Sequence, residues 1–439
     1  MKFIPEQKTY IQDLFSKMNN KKDFISLLNA VKKIEYGENM IDFDEKQLNY
    51  YINKDSINNN SNTSFEKNIN KPFYNSFTIK KKSGKDRTIH SPVLGLKNFQ
   101  KTLNVILQCI FEPHNASTGF VLGKSIVDNA KIHLGQTYVY NLDLKDFFTS
   151  VDKSRVWGRL LMPPFNLNTT PERKKIANMI AVLSCTPMEV ERFIDGHWKK
   201  TTTSVLPQGS PVSPIITNAI CERLDKQLTG VAKRFGLNYS RYADDITFSS
   251  KHNTYKKDAK TIENIFESNS TFDIEVRRII NKQNFHIQED KVRLQKKGYR
   301  QEVTGLVVND KVNVTRRYIK QLRQWLYYLE TYGYDKTNSF FWSKYLIDKG
   351  SSSTKKPNMM MVLEGKLLYL KMVKGEKDAT YLKLKDRFDS ILMSNSPINL
   401  ILSIWENEGI EKAMQVYYDK KTGGETKIKS YTDLNHIFN

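Results

Sequence analysis

The sequence predicts an α+β protein, and three observations predict it. The chain of 439 residues is 39% hydrophobic and 11% aromatic, enough apolar material for packed cores rather than a solvated tail. Two short stretches, 137–144 (TYVYNLDL) and 239–250 (YSRYADDITFSS), are rich in β-favouring residues. Between them, in 215–228 (IITNAICERLDKQL), Ile216, Ile220, Leu224 and Leu228 recur every four residues and mark one buried helical face.

Taken in order, residues 1–50 alternate charged and apolar positions in a helical manner. Residues 55–70 are polar and Asn-rich and read as a loop or linker. A compact stretch of mixed strands and helices runs from about 72 to 309. Residues 314–333 read as a basic amphipathic helix, 349–357 as a loop, and 358–394 as further helix. The tail from 397 begins as a helix and ends in a polar segment containing Gly-Gly. No internal repeat is visible.

The formal net charge is +22, spread along the chain, which points to a polyanionic partner. The three cysteines, Cys109, Cys185 and Cys221, lie far apart and suggest neither a disulfide ladder nor a zinc site. No apolar run reaches the roughly 18 residues needed to span a membrane. The opening residues, MKFIPEQKTY, carry no apolar signal-peptide core, so a cytoplasmic enzyme without a membrane partner is expected.

The chemistry concentrates in Arg241-Tyr-Ala-Asp-Asp-Ile-Thr-Phe248, where two adjacent carboxylates sit between β-favouring residues. That pattern suits a tight hairpin with Asp244 and Asp245 at its turn. Paired anionic side chains repel, and a hard divalent cation resolves the conflict. In Val139-Tyr-Asn-Leu-Asp-Leu-Lys-Asp-Phe-Phe148, an apolar strand delivers a third carboxylate, Asp143, just before an expected helix start. Asp143 and Asp244 on neighbouring strands could hold two metals about 3.5–4 Å apart, the arrangement that serves phosphoryl transfer. Asp146 is the alternative ligand, but it reads better as a first-turn helix residue near the amide dipole. Between these segments, Leu206-Pro-Gln-Gly-Ser-Pro-Val-Ser-Pro214 forms a Gly/Pro-fixed loop. Its Gly209 would let the backbone approach a flat ligand closely.

These three segments, in this order and spacing, resemble the palm of reverse transcriptases. The resemblance implies a right-hand polymerase fold, with fingers, a palm of antiparallel sheet backed by helices, and a helical thumb. It makes Asp143, Asp244 and Asp245 the catalytic carboxylates and the ligands of two Mg²⁺ ions, with Mn²⁺ as a substitute. Phe148 then matches the aromatic that excludes a ribose 2′-OH, with neighbouring Phe147 the competing ring. Gln208 matches the glutamine that lies against the incoming dNTP. Phe77-Thr-Ile-Lys-Lys-Lys-Ser-Gly-Lys-Asp-Arg-Thr-Ile-His-Ser-Pro92 is similar to a fingers motif. Lys81 and Arg87 would hold the triphosphate there, and Lys80, Lys82 and Lys85 compete for the role. A guanidinium suits this task because it grips phosphate bidentately. In His286-Ile-Gln-Glu-Asp-Lys-Val292, Lys291 matches a lysine that protonates the leaving pyrophosphate.

Two further segments resemble retron reverse transcriptases in particular. Asn129-Ala-Lys-Ile-His133 is similar to their Asn-Ala-x-x-His motif, and Val303-Thr-Gly-Leu306, with Thr304 and Gly305, to their Val-Thr-Gly motif. Gly365-Lys-Leu-Leu-Tyr-Leu-Lys-Met-Val-Lys-Gly375 is also similar to retron enzymes. The likeness covers roughly 72–390. It divides the chain into an N-terminal helical segment and linker (1–70), fingers and the start of the palm (71–142), palm (143–309), thumb (310–395) and a C-terminal extension (396–439). The partners it implies are a structured noncoding RNA, the DNA copied from it, and an effector protein in antiphage defence. In the thumb helix, Arg316, Lys320 and Arg323 share one face and Ile319, Leu322 and Leu326 another, as RNA-backbone tracking requires. Another defence-associated reverse transcriptase is the main alternative. The tail reads as too short for a group II intron enzyme, and Tyr-Ala-Asp-Asp argues against a viral RNA polymerase. A non-catalytic RNA-binding scaffold would have no reason to cluster three aspartates. Oligomeric state is left open.

Overall fold

Helix-forming runs with apolar faces open the chain as α1 (Pro5–Lys17), α2 (Lys21–Tyr36) and α3 (Glu45–Ile52). The start of α2 is fixed by Asn20, whose side chain accepts from the amide of Asp23, while Asp23 reaches back to the Asn20 amide. The computed structural model describes residues 4–53, 73–80, 86–257, 261–349, 357–394, 409–412 and 414. The Asn-rich stretch 55–70, Lys81, Lys82, Lys85, residues 350–356 and most of 396–439 lie outside the described residues.

The described residues belong to two units, Met1–Asn313 and Val314–Asn439. In the first, β1 (Tyr74–Lys80) and β2 (Asp86–Pro92) form an antiparallel hairpin, followed by α4 (Leu94–Ile110) and the short α5 (Ile126–Ile132). Next come β3 (Tyr138–Asp143), α6 (Lys153–Leu161) and α7 (Pro171–Ser184). A long hairpin, β4 (Thr186–Ile194) and β5 (His197–Val205), turns at Asp195-Gly196, both at positive φ as a two-residue hairpin turn demands. Helix α8 (Ser213–Phe235) ends on Gly236 in the left-handed conformation. The chain continues through β6 (Asn238–Tyr242), β7 (Asp245–Ser250), the small β8 (Thr254–Lys256) and β9 (Ile262–Asn264), and α9 (Thr271–Lys282). The unit closes with β10 (Arg293–Lys296), β11 (Glu302–Val303) and β12 (Leu306–Val307).

The central sheet has four strands in the order β10-β3-β7-β6, every neighbouring pair antiparallel. Alternation along β7 sorts its two faces. Ile246 and Phe248 are fully buried, and Phe248 meets Phe272 of α9 edge-on at 5.1 Å between ring centroids. Thr247 and Ser249 are also buried, but on a polar face. There Asn141 donates to Thr247 at 3.0 Å, and Ser249 and Ser240 both reach His133 at 2.7 Å.

Three expectations change. The helix expected directly after Asp143 begins only at Lys153. The intervening residues form turns, and Asp146 takes a left-handed φ of 49°, so it does not sit in a first helical turn. In the second unit, α10 (Arg316–Lys349) continues past 333 but is broken at Gly333, where φ is 73° and ψ 176°. The helix expected over 358–394 is two helices, α11 (Met359–Lys374) and α12 (Ala379–Ser394), separated at Gly375. These helices pack on one another, burying Leu322, Leu326, Leu363, Leu367, Leu384 and Phe388. Arg387 grips Glu330 through two hydrogen bonds, at 2.8 and 2.6 Å. Among the described residues, no helix is long and apolar enough to cross a membrane.

One ion pair joins α8 to the sheet. Arg241 on β6 and Asp225 on α8 are both at 0% exposure, with Nε and Nη2 of the arginine 2.8 and 2.7 Å from the two carboxylate oxygens. Removing one partner strands a buried charge, so Asp225→Ala should cost about 3–5 kcal/mol of folding stability. Denaturant unfolding of the variant checks this; a loss below about 1 kcal/mol, the scale of an exposed pair, would refute the anchoring role.

Candidate active site

The Tyr-Ala-Asp-Asp segment forms the turn between β6 and β7. Tyr242 pairs with Asp245 across the hairpin, leaving Ala243 and Asp244 as the two turn residues. Ala243 takes φ 57°, a conformation that a residue bearing a Cβ adopts reluctantly. Arg241 supplies the brace: its Nη1 donates to the Ala243 carbonyl at 3.0 Å, and its Nη2 reaches Ser117 and Asn218 at 3.2 and 3.1 Å. Burial works against the arginine's charge, but Asp225 more than offsets it and holds the guanidinium firmly protonated. Residues 116–120 run beside β6. The Arg241 amide donates to the Ala116 carbonyl, and the Thr118 amide to the Arg241 carbonyl, both at 2.9 Å. At Gly119 a Cβ would stand 2.4 Å from the Ala243 nitrogen, so only glycine fits there.

Register brings the third carboxylate to the same place, for Asp143 pairs with Asp245 across β3 and β7. The end of β3 is clamped on both sides. The Leu144 amide donates to the Asp244 carbonyl at 3.0 Å, and the Gln288 amide to the Asp143 carbonyl at 2.7 Å. The second clamp delivers the short 3₁₀ turn Glu289–Lys291, pinned to α9 by Arg277 through Glu289 and Asp273. Lys291 Nζ lies 2.7 Å from Asp143 Oδ2.

The electrostatics follow from burial and crowding. Burial first, and then the charge of Asp143, raises the pKa of Asp244, with Lys291 and Arg87 pulling the other way. Burial, and then the charges of Asp244 and Asp143, pushes Asp245 up to about 7. Among the described residues no three acidic, imidazole or thiol groups already converge as a metal site. The donor set nevertheless suits a hard divalent cation: three carboxylates, two of them destabilised as anions, with Lys291 holding the third.

The residues expected to touch a nucleotide surround this corner unevenly. Arg87 is exposed on β2, and its charge is felt at Asp244; Lys81 lies outside the described residues. The Gln208 carbonyl accepts from the His90 amide at 2.8 Å, which ties its loop to β2. Gly209 permits that contact, because a Cβ there would come within 2.7 Å of the His90 carbonyl oxygen. Of the two adjacent rings, Phe147 is buried and stacks on Phe285 at 5.7 Å. Phe148 is only partly buried and faces Phe120 at 6.1 Å.

The two further motifs occupy different sites. Asn129 and His133 are buried behind the sheet. Asn129 Oδ1 accepts from Thr118 at 2.8 Å and from Ser240 at 2.7 Å, and burial lowers the His133 pKa to about 3, keeping the ring neutral. Thr304 and Gly305, at φ 49° and 78°, make the two-residue turn between β11 and β12. That turn lines a cleft of about 490 Å³ together with Asp143, Asp245, Tyr242 and Arg293. In the second unit Arg316, Lys320 and Arg323 are exposed on α10, while Leu322 and Leu326 are buried and Ile319 partly so. Sequence reasoning missed Gly119, Phe120, Asp225 and the bracing role of Arg241. Most of their partners lie far away in sequence, as with Gly119 against Ala243 and Arg241 against Ser117.

Comparison with known proteins adds the family. The sequence pattern of the family described as reverse transcriptase (RNA-dependent DNA polymerase) matches residues 79–309. The chain is similar to the Retron Mx162 reverse transcriptase of Myxococcus xanthus, 39% identical over 57% of this chain and 51% of that one. It is similar to the Retron Mx65 reverse transcriptase of the same organism, at 32% over 58% and 55%. It is also similar to the Retron Ec86 reverse transcriptase of Escherichia coli, at 29% over 58% and 70%. The chain thus spans about half the length of the two Myxococcus relatives.

The crowded carboxylates generate a stability prediction. Between its ordinary 3.8 and about 7, Asp245 keeps in the folded state a proton that the unfolded chain has released, so stability falls as pH rises through that window. With chelator present, Asp245→Asn should therefore melt higher than the unsubstituted protein, by a margin that widens from pH 5 to pH 8. Melting curves at the two pH values check it; a margin independent of pH would contradict the electrostatic reading.

Proposed function

Because the chain belongs to the reverse transcriptase (RNA-dependent DNA polymerase) family, we propose that it is an RNA-directed DNA polymerase of retron type. It copies part of a cognate structured noncoding RNA into single-stranded DNA, in the cytoplasm, and serves with an effector protein in antiphage defence. The observation that carries this reading is the meeting of Asp143, Asp244 and Asp245 at one end of the central sheet, with Lys291 on the first.

The three aspartates would hold two divalent ions, Mg²⁺ or in its place Mn²⁺. When bound, these stabilise charge on the attacking and leaving oxygens of nucleotidyl transfer. The rest falls to the chain's own groups. Arg87 neutralises the dNTP triphosphate, a role it shares with Lys81. Lys291 sits next to Asp143, where its ammonium can donate a proton to the departing pyrophosphate. Phe148, the less buried of the two rings, closes the space a ribose 2′-OH would need, and Gln208 lies against the nucleotide from a loop fixed to β2. Outside the reacting centre, the Thr304-Gly305 turn borders the cleft beside the carboxylates. The exposed Arg316, Lys320 and Arg323 follow an RNA phosphate backbone.

Two substitutions test the reading. Asp244→Asn should abolish dNTP incorporation on a primed RNA template with Mg²⁺ while melting no lower than the unsubstituted protein. Incorporation near the unsubstituted rate would remove Asp244 from the site. Phe148→Ala should raise the efficiency of NTP use relative to dNTP. A shift produced by Phe147→Ala instead would assign the gate to the other ring.

A further inference from the structure

Phe120 combines three features that a core aromatic does not share. Its backbone is left-handed, with φ 59°, a region in which bulky L residues are rare. Its ring is 42% exposed. That ring nevertheless lies 6.1 Å from Phe148 and 6.4 Å from Tyr242, centroid to centroid, bridging Phe148 and the tyrosine that precedes the Ala243-Asp244 turn.

The surrounding chain forces this placement. Gly119 presses against the turn at Tyr242 and Ala243, and its carbonyl accepts from the Asn218 side chain at 3.0 Å. Thr118 is hydrogen-bonded to Arg241 on one side and Asn129 on the other. Lys124 donates to the carbonyls of Asn115 and Ser117, both at 3.0 Å. The backbone before Phe120 is therefore over-determined, which is the condition under which an unfavourable φ persists. On the other side, Phe147 is anchored against Phe285 and turns the neighbouring Phe148 toward Phe120. Glycine would adopt the backbone more easily, so the fold alone gives no reason for a phenylalanine here.

We propose that Phe120 is a positioning residue for nucleotide selection: its ring backs Phe148 and holds it against the sugar of the incoming nucleotide. This rests on the polymerase reading above and deepens it. A partly exposed ring braced on one side only by solvent would swing among rotamers and blur the exclusion of a 2′-OH; a second ring packed against it narrows that freedom. Phe120 touches no reacting atom in this scheme and acts through Phe148.

The test compares Phe120→Gly, Phe120→Leu and Phe120→Tyr for dNTP and NTP efficiency on a primed RNA template, with melting temperature measured alongside. Phe120→Gly removes the ring while easing the backbone. It should melt at or above the unsubstituted temperature, yet lower the dNTP-to-NTP ratio about tenfold, the smaller end of what one apolar contact supplies in a pocket. Phe120→Leu, which keeps bulk but not the flat face, should lower it as well. Phe120→Tyr should preserve it. In a Phe148→Ala background, Phe120→Gly should change the ratio no further, because the two rings act as one unit. An unchanged ratio in both Phe120→Gly and Phe120→Leu, where Phe148→Ala does shift it, overturns this inference and leaves the polymerase reading standing. Fully additive effects of Phe120→Gly and Phe148→Ala also overturn it. Failure of the unsubstituted protein to incorporate any nucleotide overturns the polymerase reading and this inference with it.

Discussion

The buried pair of Arg241 and Asp225 is the constraint on which the rest of the site depends. Crowding three carboxylates at the end of a sheet is unfavourable, and the turn that carries two of them adds a left-handed alanine. Neither feature would persist without an anchor that leaves the turn no alternative. The guanidinium supplies it, because five donors in a planar fork can serve several acceptors at once. One arginine fixes the helix behind the sheet, the carbonyl of Ala243 in the turn, and Ser117 in the adjoining segment. A lysine could not replace it, and an apolar pair would pack the core but release the turn.

The sheet is built on the same logic. Its apolar face packs on α8 and α9 like any core, whereas on its other face the half-buried Asn141 donates to Thr247 and the buried Ser240 and Ser249 both reach His133. A polar face hydrogen-bonded in this way disfavours a slip in register, since one step would break these pairs. Register in turn sets Asp143 opposite Asp245. The Asn129 and His133 motif, which touches none of the three aspartate side chains, thus bears on the carboxylates through the strands between them.

Much of this was legible in the sequence. β-favouring residues marked the strands that became β3, β6 and β7. The four-residue period marked α8, and adjacent aspartates between β-favouring residues marked a hairpin turn. The thumb helix showed its two faces, with Leu322 buried and Lys320 exposed. What could not be read depended on contacts distant in sequence. Nothing local shows that Asp225 meets an arginine 16 residues later. The close approach of Gly209 to the backbone of β2 has no local signal either, because His90 lies far away in sequence. The helix placed too early after Asp143 failed for a different reason. Asp146 takes a left-handed φ of 49°, which the turns of 145–150 accommodate and an α-helix does not.

The central claim is that this anchored trio of carboxylates copies one dedicated RNA. Cations alone bind any nucleic acid, with an affinity that collapses as salt rises, whereas a folded RNA is also recognised by its shape and unpaired loops. The most direct measurement is to purify the full chain from its native host at moderate salt and to sequence the bound RNA and DNA separately. The account predicts one dominant short structured transcript, joined to single-stranded DNA through a link that resists protease and yields to a debranching enzyme. A diverse RNA pool with no attached DNA, or a DNA product joined to protein instead, would contradict it.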